Sequence, residues 1–280
     1  MAEDTAARAA DTARTYYNTR DVDGFYAQAW GGEDIHVGVY VDEREPVHVA
    51  SGRTVERLAA KVADVLGPDS TLLDMGSGYG GASRRLAQQF DCRVVALNIS
   101  EVQNRRHREF NSECGLDGRI EVVTGSFHDI PAPDASFDVV WSQEALCHSG
   151  DRPRVLREAR RVLKPGGHVV FTDIMAAEDA PESEVRPLAE RLAISGFATP
   201  GFYQEQLRAL GFAEAEFEDL SAHMVTHYER LVEEVQTPGP GLVKGVSAEY
   251  LERLETNLPQ VAAACRNGHL RWGIFHGRRG

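Results

Sequence analysis

Residues 71–86 read TLLDMGSGYGGASRRL, and this stretch decides the fold. Thr71, Leu72 and Leu73 are apolar or β-branched and predict the end of a buried strand, closed by Asp74. Gly76, Gly78, Gly80 and Gly81 follow, and Arg84, Arg85, Leu86 and Ala87 open a helix. A strand, a glycine turn and a helix N-terminus form a ligand cradle. Glycine admits positive φ and close approach of a ligand to the backbone. The helix start presents free N–H groups and a positive dipole end. A dinucleotide site would begin with glycine directly after the strand and run G-x-G-x-x-G. Here the order is Asp74-x-Gly76-x-Gly78-x-Gly80, and no Lys-Ser/Thr pair follows to grip a phosphate. A carboxylate at the mouth repels a pyrophosphate and suits a cationic amino-acid group.

Outward from this motif, strands alternate with helices. Residues 93–98 (RVVALN), 120–124 (IEVVT), 137–143 (FDVVWSQ) and 168–173 (HVVFTD) predict further strands. Helices are expected over 51–66, 100–114 and 151–163, with Ser100 as an N-cap and Pro165-Gly166-Gly167 as a turn. Such alternation predicts a parallel sheet with helices on both faces and a ligand at the carboxyl ends of the strands. Residues 1–30 predict helices that gather Tyr16, Tyr17, Phe25, Tyr26 and Trp30. A glycine-rich loop over 31–38 follows, with the look of a hinged lid. Residues 203–210, 221–236 and 248–265 predict helices, with strands at 213–220 and 270–276. The run 237–241 (TPGPG) breaks the chain between two of those helices.

The chain has 280 residues and a formal net charge of −13, which argues against nucleic acid or an anionic membrane as partner. Lysine occurs only as Lys61, Lys164 and Lys244. A salty cytoplasm and a codon bias toward arginine both account for that. No long apolar run predicts a membrane span, and the charged N-terminus lacks a secretory signal, so a cytoplasmic protein is expected. Cys92, Cys114, Cys147 and Cys265 are scattered without a C-x-x-C pair, so neither a metal site nor a disulfide frame is expected.

The motif at 74–80 resembles the first motif of class I S-adenosylmethionine-dependent methyltransferases. The likeness continues through Asn98-Ile99-Ser100 with Gln103, Ser126-Phe127, Gln143, and Leu163-Lys164-Pro165-Gly166-Gly167. The resemblance implies an α/β, doubly wound, seven-stranded Rossmann-like sheet. It divides the chain into an N-terminal helical cap (1–66), the cofactor-binding core (67–220), a helical insertion capping the site (221–268) and a last core strand (269–280). It implies S-adenosylmethionine as cofactor, with S-adenosylhomocysteine as product. Asp74, Gly76, Ser77, Gly78 and Gly80 would hold the amino-acid end, Asn98, Ile99 and Gln103 the ribose, and Ser126 and Phe127 the adenine. Tyr26, Trp30 and Gln143 would contact the cofactor too. The usual acidic ribose ligand is replaced by Asn98, whose amide still bonds a hydroxyl.

Within that family the chain is similar to sarcosine/dimethylglycine N-methyltransferases. The stretches that carry this likeness are Tyr26…Trp30–Gly38, Gln143-Glu144-Ala145…His148-Ser149, Phe171–Met175, His227-Tyr228 and Leu270–Phe275. The implied acceptor is a small amine, dimethylglycine or sarcosine, converted to glycine betaine. Phosphoethanolamine is the alternative within the class. An NAD-dependent oxidoreductase or a non-catalytic nucleotide-binding module are the alternatives outside it. Methyl transfer from a sulfonium to an amine needs alignment in a water-poor pocket and aromatic faces for positive charge. Tyr203, Tyr228 and Met175 are the expected substrate contacts, Met175 because glycine-specific relatives carry arginine there. His36, His148 and His227 are the candidate bases. Arg230 and Arg271 are candidates for the substrate carboxylate, which stays unassigned.

Overall fold

The computed structural model describes residues 2–30, 32–192 and 194–280. Gly31, the first glycine of the expected hinge, lies outside the described residues. A seven-stranded sheet runs in the order β3-β2-β1-β4-β5-β7-β6. Its strands are β1 (Thr71–Met75), β2 (Arg93–Asn98), β3 (Ile120–Thr124), β4 (Phe137–Gln143), β5 (Leu163–Ala176), β6 (Phe212–Asp219) and β7 (Leu270–Arg279). The pairs β1–β2, β1–β4, β2–β3 and β4–β5 are parallel, whereas β7 runs antiparallel between β5 and β6. The sheet is therefore mixed rather than wholly parallel. The helical hairpin before β7 returns the chain to the strand-end side of the sheet, so β7 can only enter in the reverse sense.

β1 and β4 are buried along nearly their whole length, as their continuous apolar runs require of central parallel strands. β1 extends through Met75, so Asp74 lies inside the strand rather than at its last position. Helix α4 (Gly81–Phe90) starts three residues earlier than its arginines suggest. α5 (Glu101–Glu113) is capped by Ser100, whose Oγ accepts from the Gln103 N–H at 3.2 Å. α6 (Arg152–Val162) is capped by the Asp151 side chain. The residues expected as a turn, Pro165-Gly166-Gly167, lie within β5, where its pairing with β4 jumps from Phe137↔Leu163 to Val139↔His168.

The helices at the two ends of the chain pack together. α1 (Ala2–Tyr17) and α2 (Arg20–Ala29) precede the loop to α3 (Val47–Ala59). α3 starts at Pro46, earlier than expected, and ends at Ala59. Beyond it the chain tightens into i→i+3 bonds, such as Lys61 N–H to Leu58 and Val62 N–H to Ala59. The amphipathic pattern survives this change of winding, with Val62 fully buried. α7 (Glu182–Arg191) and α8 (Pro200–Ala209) follow β5, and α9 (Ser221–Gln236), α10 (Pro240–Gly245) and α11 (Ala248–Arg266) precede β7. α7 and α10 have no counterpart in the expected elements. α7 carries an internal Pro187, and α10 is a short helix started by the proline that looks like a breaker. One hydrophobic cluster runs from Val22, Phe25 and Trp30 through Leu72 and Trp141 to Tyr228, Tyr250 and Trp272. The end helices thus share a core with one face of the sheet.

α2 and α10 meet at Gly24, where an added Cβ would lie 2.2 Å from the Gly245 carbonyl oxygen. Alanine there raises helix propensity by up to about 1 kcal/mol but forces the helices apart, an overpacking cost of about 1–3 kcal/mol. Gly24→Ala is expected to lower the melting temperature. Gly67→Ala, at a position with open space around it, is expected not to. Calorimetry of the two variants checks this, and a higher melting temperature for Gly24→Ala would contradict the packing.

Candidate functional site

The strand order reverses between β1 and β4, and a cavity opens at the carboxyl ends of the strands around that point. Its floor is Gly76 and Gly78 after β1, Leu97, Asn98 and Ile99 at the end of β2, Gly125–His128 after β3, Gln143 and Glu144 at the end of β4, and Ile174 on β5. Its roof is Ala10, Ala13, Tyr16 and Tyr17 of α1, Tyr26 and Trp30 at α2, and Tyr228 of α9. Ile35, His36 and Val37 close one side, and Leu192 and Ile194 another.

The glycine turn is shaped as its sequence requires. Gly76, Gly78 and Gly80 all have positive φ. At Gly76 a Cβ would lie 2.3 Å from the Ala145 Cβ, so only glycine lets the turn run this close to the end of β4. Asp74 is 3% exposed, and its Oδ2 accepts from the Ser83 hydroxyl at 2.6 Å. Burial raises its pKa to about 6, against the pull of Ser83 and His36. Asp74, Ser77 and Gly80 back the cavity without lining it. Asn98 Nδ2 donates to Gln103 Oε1 at 3.0 Å. The other Gln103 amide atom, Nε2, is buried without a partner, as are Gln143 Nε2 and Ser77 Oγ. Unpaired amide donors in a cavity wall fit a ligand with hydroxyl and carbonyl acceptors. Ser126 Oγ accepts from the His128 N–H at 3.2 Å, beside Phe127.

The histidines separate. His36 lines the cavity with Nδ1 3.3 Å from Glu144 Oε2. Burial pushes its pKa down, but Glu144, Asp34 and Asp74 outweigh that and hold it above the usual histidine value. His148 also lines the cavity. Its Nε2 lies 2.9 Å from the Tyr17 hydroxyl and its buried Nδ1 has no partner. Burial, aided by Arg152, lowers its pKa to about 4, so it is neutral near pH 7. His227 is not at the cavity wall. Its Nδ1 accepts from the Gly38 N–H at 3.2 Å and faces the Tyr40 hydroxyl at 3.0 Å. Burial lowers its pKa to about 3, and it serves as a strut between α9 and the loop rather than as a base.

Two expected substrate contacts point elsewhere. Met175 is fully buried among Phe171, Tyr203 and Leu207, on the opposite face of β5 from Ile174, which does line the cavity. Strand side chains alternate faces, so a one-residue difference decides which space a side chain enters. Tyr203 is fully buried too, and its hydroxyl donates to Asp173 Oδ2 at 2.6 Å. Arg230 pairs with Glu233 and Glu234, and Arg271 lies 3.9 Å from Asp219; neither lines the cavity.

Glu144 lines the cavity and was not among the site residues expected from the sequence. It is a non-glycine residue at φ 45°, in the left-handed region, directly after β4. Its Oε1 accepts from Trp272 Nε1 at 2.6 Å. Only three-dimensional proximity to Trp272 and His36 distinguishes it from an ordinary loop glutamate. At Gly38 a Cβ would lie 2.5 Å from that of Ala50, so this glycine of the loop serves close packing.

A family model described as "Methyltransferase domain" matches residues 73–171. The chain is 49% identical to a sarcosine/dimethylglycine N-methyltransferase of Halorhodospira halochloris, over 98% of both chains. It is 46% identical to a glycine/sarcosine/dimethylglycine N-methyltransferase of Actinopolyspora halophila, over 98% of this chain and 48% of that one. A solved structure of a protein provisionally named sarcosine dimethylglycine methyltransferase, from Galdieria sulphuraria, superposes with a TM-score of 0.86 at 35% identity. That superposition covers 92% of this chain and 98% of the other.

If Asp74 faces the ammonium of a bound cofactor, ionised Asp74 favours binding and protonated Asp74 does not. With its pKa at about 6, affinity for S-adenosylhomocysteine should be full above that pH and decline as pH falls through it, by up to about tenfold per unit. Asp74→Asn should weaken binding about 10- to 100-fold at neutral pH, the cost of losing a charge-assisted bond, and flatten the pH dependence. Calorimetric titration across pH checks both, and an unchanged affinity in a folded variant would contradict the assignment.

Proposed function

The chain belongs to the sarcosine/dimethylglycine N-methyltransferase family of S-adenosylmethionine-dependent enzymes, and on that premise we propose that it methylates dimethylglycine, and sarcosine before it, to give glycine betaine. S-adenosylmethionine, when bound, supplies a methyl group on a positively charged sulfur. The residues proposed to hold it are Asp74, the 76–80 turn, Asn98, Ile99, Gln103, Ser126, Phe127 and Gln143. The orphaned amides of Gln103 and Gln143 support that placement.

The observation that carries the acceptor reading is the wall of the cavity's other half. Tyr16, Tyr17, Tyr26, Trp30 and Tyr228 line it together with the carboxylate of Glu144. Tyr16, Tyr17, Tyr26 and Trp30 form a chain of ring contacts, with Tyr17–Tyr26 centroids 6.0 Å apart and Tyr26–Trp30 5.0 Å apart. Ring faces and a carboxylate both favour a cationic amine. An aromatic face is worth about 0.5–2 kcal/mol to a cation, and does not require the cation to donate a hydrogen bond. Such a wall therefore suits a nitrogen that gains methyl groups and ends as a quaternary ammonium.

The same wall weighs against phosphoethanolamine. Among the described residues that line the cavity, none is lysine or arginine. A phosphate ester needs such a partner, whereas a single carboxylate can be met by neutral donors. His148 and the tyrosine hydroxyls are neutral donors on the aromatic side of the cavity. Met175, expected as a substrate contact, faces the opposite side of β5 and so adds nothing to the acceptor reading. Ile174 takes that place in the cavity wall.

Initial rates with labelled S-adenosylmethionine test the reading. kcat/KM should rank dimethylglycine and sarcosine above glycine, with phosphoethanolamine inert. Turnover of phosphoethanolamine alone, or glycine as the best acceptor, would contradict it. Trp30→Leu should raise KM for dimethylglycine about 2- to 30-fold, the loss of one cation–aromatic contact.

A further inference from the structure

A methylated amine is protonated at neutral pH, and its nitrogen cannot accept a methyl group while its lone pair holds a proton. Among the described residues that line the cavity, Glu144 is the only carboxylate. Its Oε1 is occupied by Trp272 Nε1 at 2.6 Å, which fixes the side chain from behind. Its Oε2 is buried with no hydrogen-bond partner, and its nearest cationic neighbour is His36 Nδ1 at 3.3 Å. The backbone at Glu144 is held in the left-handed region, a conformation kept where surrounding structure imposes it. The Glu144 N–H donates to the Thr172 carbonyl at 3.1 Å, and the Gly76 turn packs on the next residue, Ala145. The carboxylate is thus oriented from β7 and β5, with Oε2 facing only His36 Nδ1 at 3.3 Å.

We propose that Glu144 Oε2 accepts the hydrogen bond of the protonated acceptor amine and takes its proton, and that the loss of this bond on full methylation marks the finished product. This rests on the acceptor reading above. The N–H bond breaks and its proton passes to Oε2. The freed lone pair forms the N–C bond while the methyl–sulfur bond breaks and leaves its electron pair on sulfur. The neutral carboxyl then returns its proton to water. Sarcosine and dimethylglycine each carry an N–H for this step. Glycine betaine carries none, so it keeps the ring faces and loses the carboxylate's hydrogen bond.

The groups that face Glu144 are consistent with a carboxylate kept ready. His36 comes from the loop before α3. Asp173 comes from β5, with both oxygens already bonded, to the Tyr203 hydroxyl and the Cys147 N–H. Cys147 comes from the 3₁₀ turn Leu146–His148 and Tyr228 from α9. Burial raises the pKa of both, so both stay neutral near pH 7.

The test compares wild type with Glu144→Gln and Glu144→Asp. kcat/KM for dimethylglycine is measured from about pH 6 to 10. Binding of dimethylglycine and of glycine betaine to the S-adenosylhomocysteine-loaded protein is measured by calorimetry. Glu144→Gln, which keeps an oxygen for Trp272, should lose about 100-fold or more in kcat/KM near neutral pH. Its rate should then rise about tenfold per pH unit with the fraction of free amine. Glu144→Asp should recover part of the loss, and affinity for S-adenosylhomocysteine should not change. Wild type should bind dimethylglycine about 10-fold or more tighter than glycine betaine, and Glu144→Gln should erase that preference. Wild-type rates and pH profile in Glu144→Gln would overturn the proposal. So would equal binding of the two ligands by wild type, a result that needs no variant to fold. Wild-type turnover with an unaffected variant overturns this inference alone, whereas no turnover of either amine by wild type overturns the acceptor reading and this inference together.

Discussion

The site depends on eight residues of irregular chain, 33–40, being held from three directions at once. From the cofactor side, the Gly81 N–H donates to the Glu33 carbonyl at 3.2 Å, Arg84 meets Glu33, and Arg85 Nε bonds Asp34 Oδ2 at 2.8 Å. From α3, the Ser51 hydroxyl donates to the His36 carbonyl at 2.6 Å and Thr54 to that of Val37 at 2.7 Å. From α9, His227 accepts the Gly38 N–H. Trp30 Nε1 adds a bond to the His36 carbonyl at 3.0 Å. Loops normally run over the surface because their backbone groups need water. Here side chains replace that water, and the segment carries Ile35, His36 and Val37 into the cavity wall. The segment couples the glycine turn, the end helices and the Glu144 carboxylate, so no one of them is placed independently of the others.

Electrostatics follows the same layout. The carboxylates of Asp74, Asp173 and Glu144 stand near one cavity, and none has a lysine or arginine on the cavity wall as counterion. Asp74 is relieved by a hydroxyl, and burial carries its pKa to about 6. Asp173 is relieved by Tyr203 and by Arg152, and burial carries it to about 6 as well. His36 faces Glu144, and Glu144, Asp34 and Asp74 together hold its pKa above the usual histidine value. A cavity of this composition has unspent attraction for cations. A buried carboxylate without a full partner is costly, and a cationic ligand on either side of the site reduces that cost. The acceptor and the methyl donor both bring positive charge, so one field serves both.

Much of this was legible in the chain itself, and the exceptions have specific physical causes. β2, β3 and β4 match their apolar and β-branched runs residue for residue. Asn98, Gln103, Ser126, Phe127 and Gln143 were pointed to by the family resemblance, and the structure brings them to one cavity. Helix ends were less legible. Pro46 and Pro240 start helices that composition places later or not at all. Met175 and Ile174 were exchanged because a strand's facing depends on register with neighbours, and neighbours are not visible along the chain. His227 looked like chemistry because its partners, Gly38 and Tyr40, are nearly two hundred residues away in sequence. Glu144 stood within a stretch that carries the family likeness, but nothing local to it named a role. Its left-handed backbone, its bond to Trp272 and its approach to His36 exist only once the sheet has closed.

The account's central claim is that one cavity holds the acceptor amine between the aromatic roof and Glu144. A crystal structure with S-adenosylhomocysteine and dimethylglycine tests it most directly. The claim predicts the acceptor nitrogen within hydrogen-bond reach of Glu144 Oε2, about 3 Å, with Tyr or Trp ring faces around its methyl groups. An acceptor bound outside this cavity, or inside it with its amine turned away from Glu144, would contradict it.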